Sequence, residues 1–223
     1  MDIRGFLRIK AANVSVTNTI VRGRPVDGKR GLLTSTAPGV TIRNVTLAPT
    51  TPSPYLDGLR GWGFTADRVE IRDVVDSAHV YGDDVTIRNS WLHHNRHYTN
   101  DPNQGGRPSH DDGVQVLGGS RITLTGNSIT GAYNAAVQIT QDYDHARAIR
   151  ITGNWLGYGG CTVNVAQKDR GPITGLTITN NQFDRDSRVT NCAITHDSTT
   201  NPTISSNTWT GTAKPVGLST RAR

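Results

Sequence analysis

Ile149-Arg150-Ile151-Thr152-Gly153-Asn154 and Leu176-Thr177-Ile178-Thr179-Asn180-Asn181 are two copies of one phrase, 27 residues apart, and their recurrence decides the fold. Apolar and polar residues alternate in each, as they do along a strand with one face buried. The phrase ends in Gly or Asn, residues that turn a chain cheaply. Outward from this pair the same pattern appears at Val14-Ser15-Val16-Thr17-Asn18, Val40-Thr41-Ile42-Arg43-Asn44, Val69-Glu70-Ile71-Arg72-Asp73 and Val85-Thr86-Ile87-Arg88-Asn89. It appears again at Ile122-Thr123-Leu124-Thr125-Gly126-Asn127 and at Thr203-Ile204-Ser205-Ser206-Asn207. The terminal Asn or Asp positions are separated by 26, 29, 16, 38, 27, 27 and 26 residues. One short and one long interval together make two ordinary ones, so one coil is clipped and the next carries an insertion at about 92–110. Repeats of this length stack into a quasi-one-dimensional solenoid. The expectation is an all-β chain, one right-handed parallel β-helix domain spanning 1–223, of about eight coils with a period of ~27 residues.

The recurrent Asn should form an internal ladder bonding the turns of neighbouring coils, so these residues are read as structural. A second strand per coil is marked by the apolar pairs Val114/Val116, Val137/Ile139, Val163/Val165, Cys192/Ile194 and Val216/Leu218. Between the members of each pair stand Gln115, Gln138, Asn164, Ala193 and Gly217, which should form one outward row, with His79 or Tyr81 continuing it beneath Gln115.

Hydrophobic residues make up 34% of the 223 and aromatics 6%, a lean composition whose apolar part is mostly Val, Ile and Leu in short alternating runs. No stretch approaches the roughly 18 apolar residues of a membrane span, so a soluble protein without a membrane partner is expected. Residues 1–10 carry no recognisable signal peptide. Cys161 and Cys192 fall in consecutive repeats, where they form either a disulfide or two small buried thiols. A disulfide favours an extracellular location. The net charge of +6 comes from basic residues scattered through the repeats. That distribution favours diffuse attraction to a polyanionic polysaccharide over a nucleic-acid motif, and a monomer is expected.

Titratable groups concentrate in the middle of the chain, where six of the seven histidines lie between 79 and 145. Ser109-His110-Asp111-Asp112-Gly113-Val114-Gln115 places a histidine and two carboxylates beside the outward row. It reads as a catalytic or ion-binding edge, or else as a turn in which Asp caps backbone amides. A long loop on a rigid scaffold is a usual place for function, and the insertion brings His94 and His97 beside this edge. Asp142, Tyr143, Lys168, Arg170 and Asp197 follow second strands, with Asp142, Lys168 and Asp197 in the same relative position, bordering one groove. Zinc is not expected at His93, His94 and His97, which lack an H-E-x-x-H pattern. Calcium at Asp111 and Asp112 is a possible cofactor, since such sites need only a few oxygen ligands.

The Val-Thr-Ile-Arg-Asn and Ile-Thr-Gly-Asn phrases, with the Asp112-Gly113-Val114-Gln115 strand, resemble the repeats of the pectate-lyase-like right-handed β-helix superfamily over essentially the whole chain. The resemblance is nearest to repeat-containing secreted proteins of actinomycetes. It implies a carbohydrate-active protein, among polysaccharide lyases, glycoside hydrolases, uronan epimerases and phage depolymerases. The pectate lyase calcium site and its catalytic Arg are not recognisable here. Asp111-Asp112 is similar to the paired aspartates of polygalacturonases, but the other signatures of that family are absent.

The leading functional expectation is a lyase cleaving a uronate-containing polysaccharide by β-elimination. That reaction needs a cation for the carboxylate, a base and an acid. Lys168, Arg170 or a bound cation fits the first role, His110 or His79 the base, and Tyr81 the acid, with Asp112 also at the catalytic edge. Gln115, Gln138, Asn164, Arg170, His94, His97, Asp142 and Tyr143 are expected to bind substrate. Two alternatives stand beside it. An inverting hydrolase using Asp111, Asp112 and Asp142 needs carboxylates roughly 6.5–9.5 Å apart. A non-catalytic carbohydrate-binding or adhesion module would use the polar row for contact alone.

Overall fold

Twenty strands, from Asp2–Ile3 to Leu218–Arg221, hydrogen-bond into one continuous parallel array in the computed structural model, which describes residues 1–222. Each turn of the chain lays a new rung on the last, about 4.8 Å away. The rungs build three faces. The first face stacks Leu7–Ile9, the opening parts of Arg30–Leu47 and Leu56–Arg72, then Ala78–Tyr81, the opening of Asp112–Thr125, Ala135–Ile139, Val163–Val165, Ile194–Asp197 and Leu218–Arg221. The second face carries the alternating phrases, in which Ile42, Ala66, Ile87, Leu124, Ile151 and Ile178 occupy one register and are all buried. The third stacks short strands such as Trp91–His93, Ser128–Ile129 and Trp155–Leu156. The inward residues of all three faces merge in one apolar core running the length of the coils.

The corner between the second and third faces shows why the repeat ends in Asn or Gly. Asn18, Asn44, Arg68, Asn89, Gly126, Gly153, Asn180 and Ser206 hold the left-handed conformation there, with φ between 49° and 65°. Asn and Gly enter that region at least cost. Spacing between these positions, by subtraction, is 26, 24, 21, 37, 27, 27 and 26 residues. The next residue in each later coil is a second asparagine, at Asn127, Asn154, Asn181 and Asn207, and this one is buried. The Oδ1 of Asn154, Asn181 and Asn207 accepts both the backbone N–H and the side-chain amide of the preceding rung, at 2.9–3.1 Å, while the Nδ2 of all four also donates to a backbone carbonyl.

The single expected row of Asn is therefore two adjacent columns. Asn18, Asn44 and Asn89 turn the corner, where Asn44 Nδ2 donates to Asn18 Oδ1 at 3.2 Å on the exposed side, and the last four asparagines form the buried ladder, which ends on the backbone N–H of Ser90. The Val69 phrase belongs to neither, since Val69 pairs with Val45 and Glu70 with Trp91 on the third face. Its place on the second face is taken by Phe64-Thr65-Ala66-Asp67-Arg68, whose weaker apolar alternation hid it. The clipped coil thus loses less than expected, and the insertion begins after the regular strand Trp91–His93.

The outward row also ends differently. His79, Gln115, Gln138 and Asn164 are in register, but Asn164 pairs with Thr195, and Thr195 with Ser219. Ala193 and Gly217 lie two residues earlier, because extra residues at 185–191 lengthen that turn. Cys161 and Cys192 form a disulfide across neighbouring coils.

Replacing Asn154 by Ala removes the ladder in both directions and leaves buried backbone N–H and C=O groups unpaired. The expected loss is about 2–4 kcal/mol in denaturant unfolding. Asn44→Gly, at the corner column, should cost less than about 1 kcal/mol. Equal losses at the two sites would contradict the division into two columns.

Candidate functional site

Three carboxylates occupy one register position on the first face. Leu59 pairs with Ala78 and Ala78 with Val114, so Asp57, Asp76 and Asp112, each two residues earlier, stack on successive rungs. The residue after each is small: Gly58, Ser77 and Gly113. A Cβ on Gly58 would come within 2.5 Å of the Ser77 carbonyl and Ile71, and one on Gly113 would meet Ile129 and the Ala136 carbonyl at 2.4 Å. Glycine at these positions lets the backbone press into the core while the aspartate before it keeps to the sheet's outer side. The carboxylates bond upward, Asp57 Oδ1 accepting the Asp76 N–H at 3.4 Å and Asp76 Oδ1 accepting the Asp112 N–H at 2.8 Å. Asp112 Oδ1 accepts from Asn134 Nδ2 at 2.8 Å.

Alongside runs the outward column Arg8, Thr34, Arg60, His79, Gln115, Gln138, Asn164. Arg60 donates to Asp57 at 2.7 Å. His79 Nδ1 lies 3.2 Å from Asp76 and 3.5 Å from Asp57, at ion-pair distance without hydrogen-bond alignment, and His79 Nε2 and Asp112 Oδ2 are buried without a partner. All four of Asp57, Asp76, His79 and Asp112 are at most 5% exposed.

In so dry a place the protonation states separate. Burial by itself lowers the His79 pKa, but Asp57 and Asp76 outweigh it and push it up to about 9. Burial also opposes ionisation of Asp57, yet His79, Arg60 and Lys29 hold its pKa below the ordinary value. Burial and the adjacent Asp57 raise Asp76. Asp112 stands well above the usual carboxylate range, through burial first and then Asp76 and Asp111, without a cation to compensate. Arg60 thus offsets Asp57 and His79 offsets Asp76, while burial and the neighbouring carboxylates disfavour charge on Asp112.

The face opens beside Arg60. A recess of about 290 Å³ is lined by Phe6, Leu7, Arg8, Lys29, Arg30, Gly31, Thr34, Arg60 and Tyr81, so four cationic side chains share it with one phenol. Arg30 lies over the Phe6 ring, 5.2 Å from its centroid. Tyr81 meets His79 edge-on at 6.4 Å and Tyr143 at 6.0 Å, and Tyr143 is 60% exposed.

Of the residues singled out from sequence, His79, Asp112, Tyr81, Gln115, Gln138, Asn164 and Tyr143 belong to this face. His110 is exposed, and among the described residues no hydrogen bond or ion pair holds it. Asp111 and Asp112 engage different partners, Asp111 accepting from His97 at 2.6 Å and from the Tyr133 N–H at 2.7 Å, so they do not converge as an ion-binding pair. His97 stacks on Tyr133 and braces the insertion; His94 is an exposed left-handed residue against His93. Lys168 lies 3.7 Å from Asp142, and Arg170 donates to the Gln141 carbonyl at 2.7 Å. Asp197 is not at their position, lying two residues earlier in register, where it accepts the Gln167 N–H.

The residues missed were Asp57, Asp76 and the cationic recess. Asp57-Gly58-Leu59-Arg60, Asp76-Ser77-Ala78-His79 and Asp112-Gly113-Val114-Gln115 share one pattern that could have been aligned directly. Ligand atoms of Asp57, Asp76 and His79 come within 4.8 Å of one another, the one grouping among the described residues dense enough for a metal. Calcium fits it poorly, because Arg60 and protonated His79 already supply the positive charge.

Two outcomes follow. His79 has a folded pKa above its unfolded value of 6.5, so its stabilisation is complete below pH 6.5 and is lost as pH rises through about 9. That loss should be on the order of 3 kcal/mol in urea unfolding between pH 6 and 10, and absent from His79→Gln. Asp112→Asn, isosteric with the protonated acid, should keep or raise the melting temperature at pH 7. A marked fall would show that Asp112 is ionised.

The model of the right-handed β-helix region matches residues 31–218 of the chain. No curated protein and no solved structure matches it. With parallel rungs, three faces and one continuous core already established, that match over most of the chain places this protein in the right-handed β-helix family.

Proposed function

We propose that this protein is a pectate-lyase-like polysaccharide lyase, cleaving an acidic, uronate-containing polysaccharide by β-elimination on the first face. The observation that carries this reading is the recess in which Arg8, Lys29, Arg30 and Arg60 surround Tyr81. Such a recess suits a carboxylate-bearing sugar, whose charge must be neutralised before its C5 proton becomes acidic. Arg60, fixed by Asp57 at 2.7 Å, is the cation assigned to that carboxylate. Tyr81 is assigned the proton transfer. The Tyr81 oxygen takes the C5 proton, the C5 electron pair forms the C4=C5 double bond, and the C4–O bond breaks. The same hydroxyl then returns the proton to the departing glycosidic oxygen.

His79 changes role in this reading. A buried imidazole with a pKa of about 9 is protonated at neutral pH, so it is not the base and instead positions Tyr81 edge-on from the same strand. Gln115 and Asn164, both partly exposed, continue the column as further sugar contacts, while Gln138 between them is buried. The Cys161–Cys192 disulfide supports an extracellular location.

Glycoside hydrolysis is the second reading. It is favoured by the opposite pushes on Asp57 and Asp112, two rungs apart, which suit a base and an acid. Their burial weighs against it, since neither meets solvent.

The test is incubation with polygalacturonate, alginate and glycosaminoglycans, following both ultraviolet absorbance of unsaturated uronate ends and reducing ends. Absorbance and reducing ends should rise together. Tyr81→Phe should lower kcat by about 100-fold or more, and Arg30→Gln should chiefly raise KM. Reducing ends without absorbance would transfer the assignment to hydrolysis; neither signal, with retained affinity, would make the face a binding surface alone.

A further inference from the structure

The third face holds a feature that the first does not use. Trp91 pairs with Ser128, and Ser128 with Trp155, so two indoles stand on the same outward column two rungs apart, about 9.5 Å. They are 50% and 45% exposed, on a sheet whose other large apolar residues are nearly all buried. Both rings are held. Trp91 lies flat on the buried His93 ring, with centroids 3.6 Å apart and planes within 10°, which leaves its opposite face to solvent. Trp155 Nε1 donates to Asp184 Oδ2 at 2.7 Å, and Asp184 is fixed in turn by Thr210. Ser128 between them is short, so the sheet forms a shallow hollow bracketed by two rings, with Gln182 on the next rung.

Ring ordering matters, because a side chain that is already fixed gives up little entropy when a ligand stacks on it. Two fixed indoles bracketing a polar hollow match the amphipathic surface of a sugar chain. Its C–H faces lie on rings, and its hydroxyls meet Ser, Gln and carboxylate oxygens. A protein partner would leave Ser128, Gln182 and Asp184 to be desolvated at its centre.

Charge selects the kind of chain. Glu70 and Asp184 flank the indoles, and Arg72, the cation on the adjoining outward column, is held by Glu70 at 3.3 Å and Asp73 at 2.6 Å. A polyanion gains nothing there, in contrast to the cationic recess on the first face. We infer that Trp91 and Trp155 form a second, non-catalytic glycan-binding platform, which takes a neutral polysaccharide rather than the acidic one assigned to the recess.

The test is affinity electrophoresis of the full chain in gels containing hydroxyethylcellulose, xyloglucan, mixed-linkage β-glucan or galactomannan, with polygalacturonate as the anionic comparison. At least one neutral glycan should retard the protein. Retardation should fall tenfold or more in the Trp91→Ala/Trp155→Ala double variant, with its circular dichroism and melting temperature preserved. Trp155→Tyr, which keeps a flat ring, should recover part of it. Arg30→Gln should leave neutral-glycan binding unchanged, so failure of the lyase reading does not alter this outcome. Absence of retardation by every neutral glycan, or retardation unchanged in the double variant, would overturn the platform. So would a dimer in sedimentation that the double variant dissolves, since the indoles would then be an interface between copies.

Discussion

Parallel stacking at one rung per coil forces any residue that recurs at a given position against its own counterparts, about 4.8 Å away. Everything else in this molecule answers to that constraint. Where the recurring residue is asparagine, stacking is favourable, because an amide both donates and accepts and each rung satisfies the next. Where it is valine or isoleucine, stacking builds the core. Where it is aspartate, stacking is costly: Arg60 and His79 offset Asp57 and Asp76, and burial beside them raises the pKa of Asp112.

The same column shows how local that cost is. Continuing upward from Asp57, Asp76 and Asp112 it passes through Ala135 and then reaches Cys161 and Cys192, joined covalently. One position thus serves as a charged cluster at one end and as a cross-link at the other. The outer faces divide in the same way. The first face gathers cations, and the third presents indoles flanked by carboxylates, although the two share a core.

Much of the architecture was legible because alternation and turn residues are local signals, and eight copies of a phrase reinforce one another. Register was less legible. Asn18 and Asn127 look alike in a sequence, yet one needs a left-handed backbone and the other a buried amide, a distinction that depends on which column each enters. Val69-Glu70-Ile71-Arg72-Asp73 mimics the repeat better than the true copy at Phe64–Arg68 does, since a strand on any face of a solenoid alternates in the same way. Within the candidate site, His79 and Asp112 were found because histidine and paired acids attract attention. Asp57 and Asp76 were passed over because each resembles an ordinary turn aspartate; only stacking places them together. The cationic recess draws on residues as far apart as Arg8 and Tyr81, which no local pattern connects.

The asparagine ladder runs only through the coils after Ser90, which are also the most regular, with corner residues 27 apart at Gly126, Gly153 and Asn180. Each such coil adds one amide to the ladder and one polar side chain to the outward row. Inserting a further coil after Asn154 leaves the Asp57–Asp112 cluster, its Asn134 partner and the recess untouched while adding a single rung to the row. On the proposed reading, the length of polymer gripped is therefore a variable separate from the chemistry at its end, and recombination within the repeats could adjust it in whole steps.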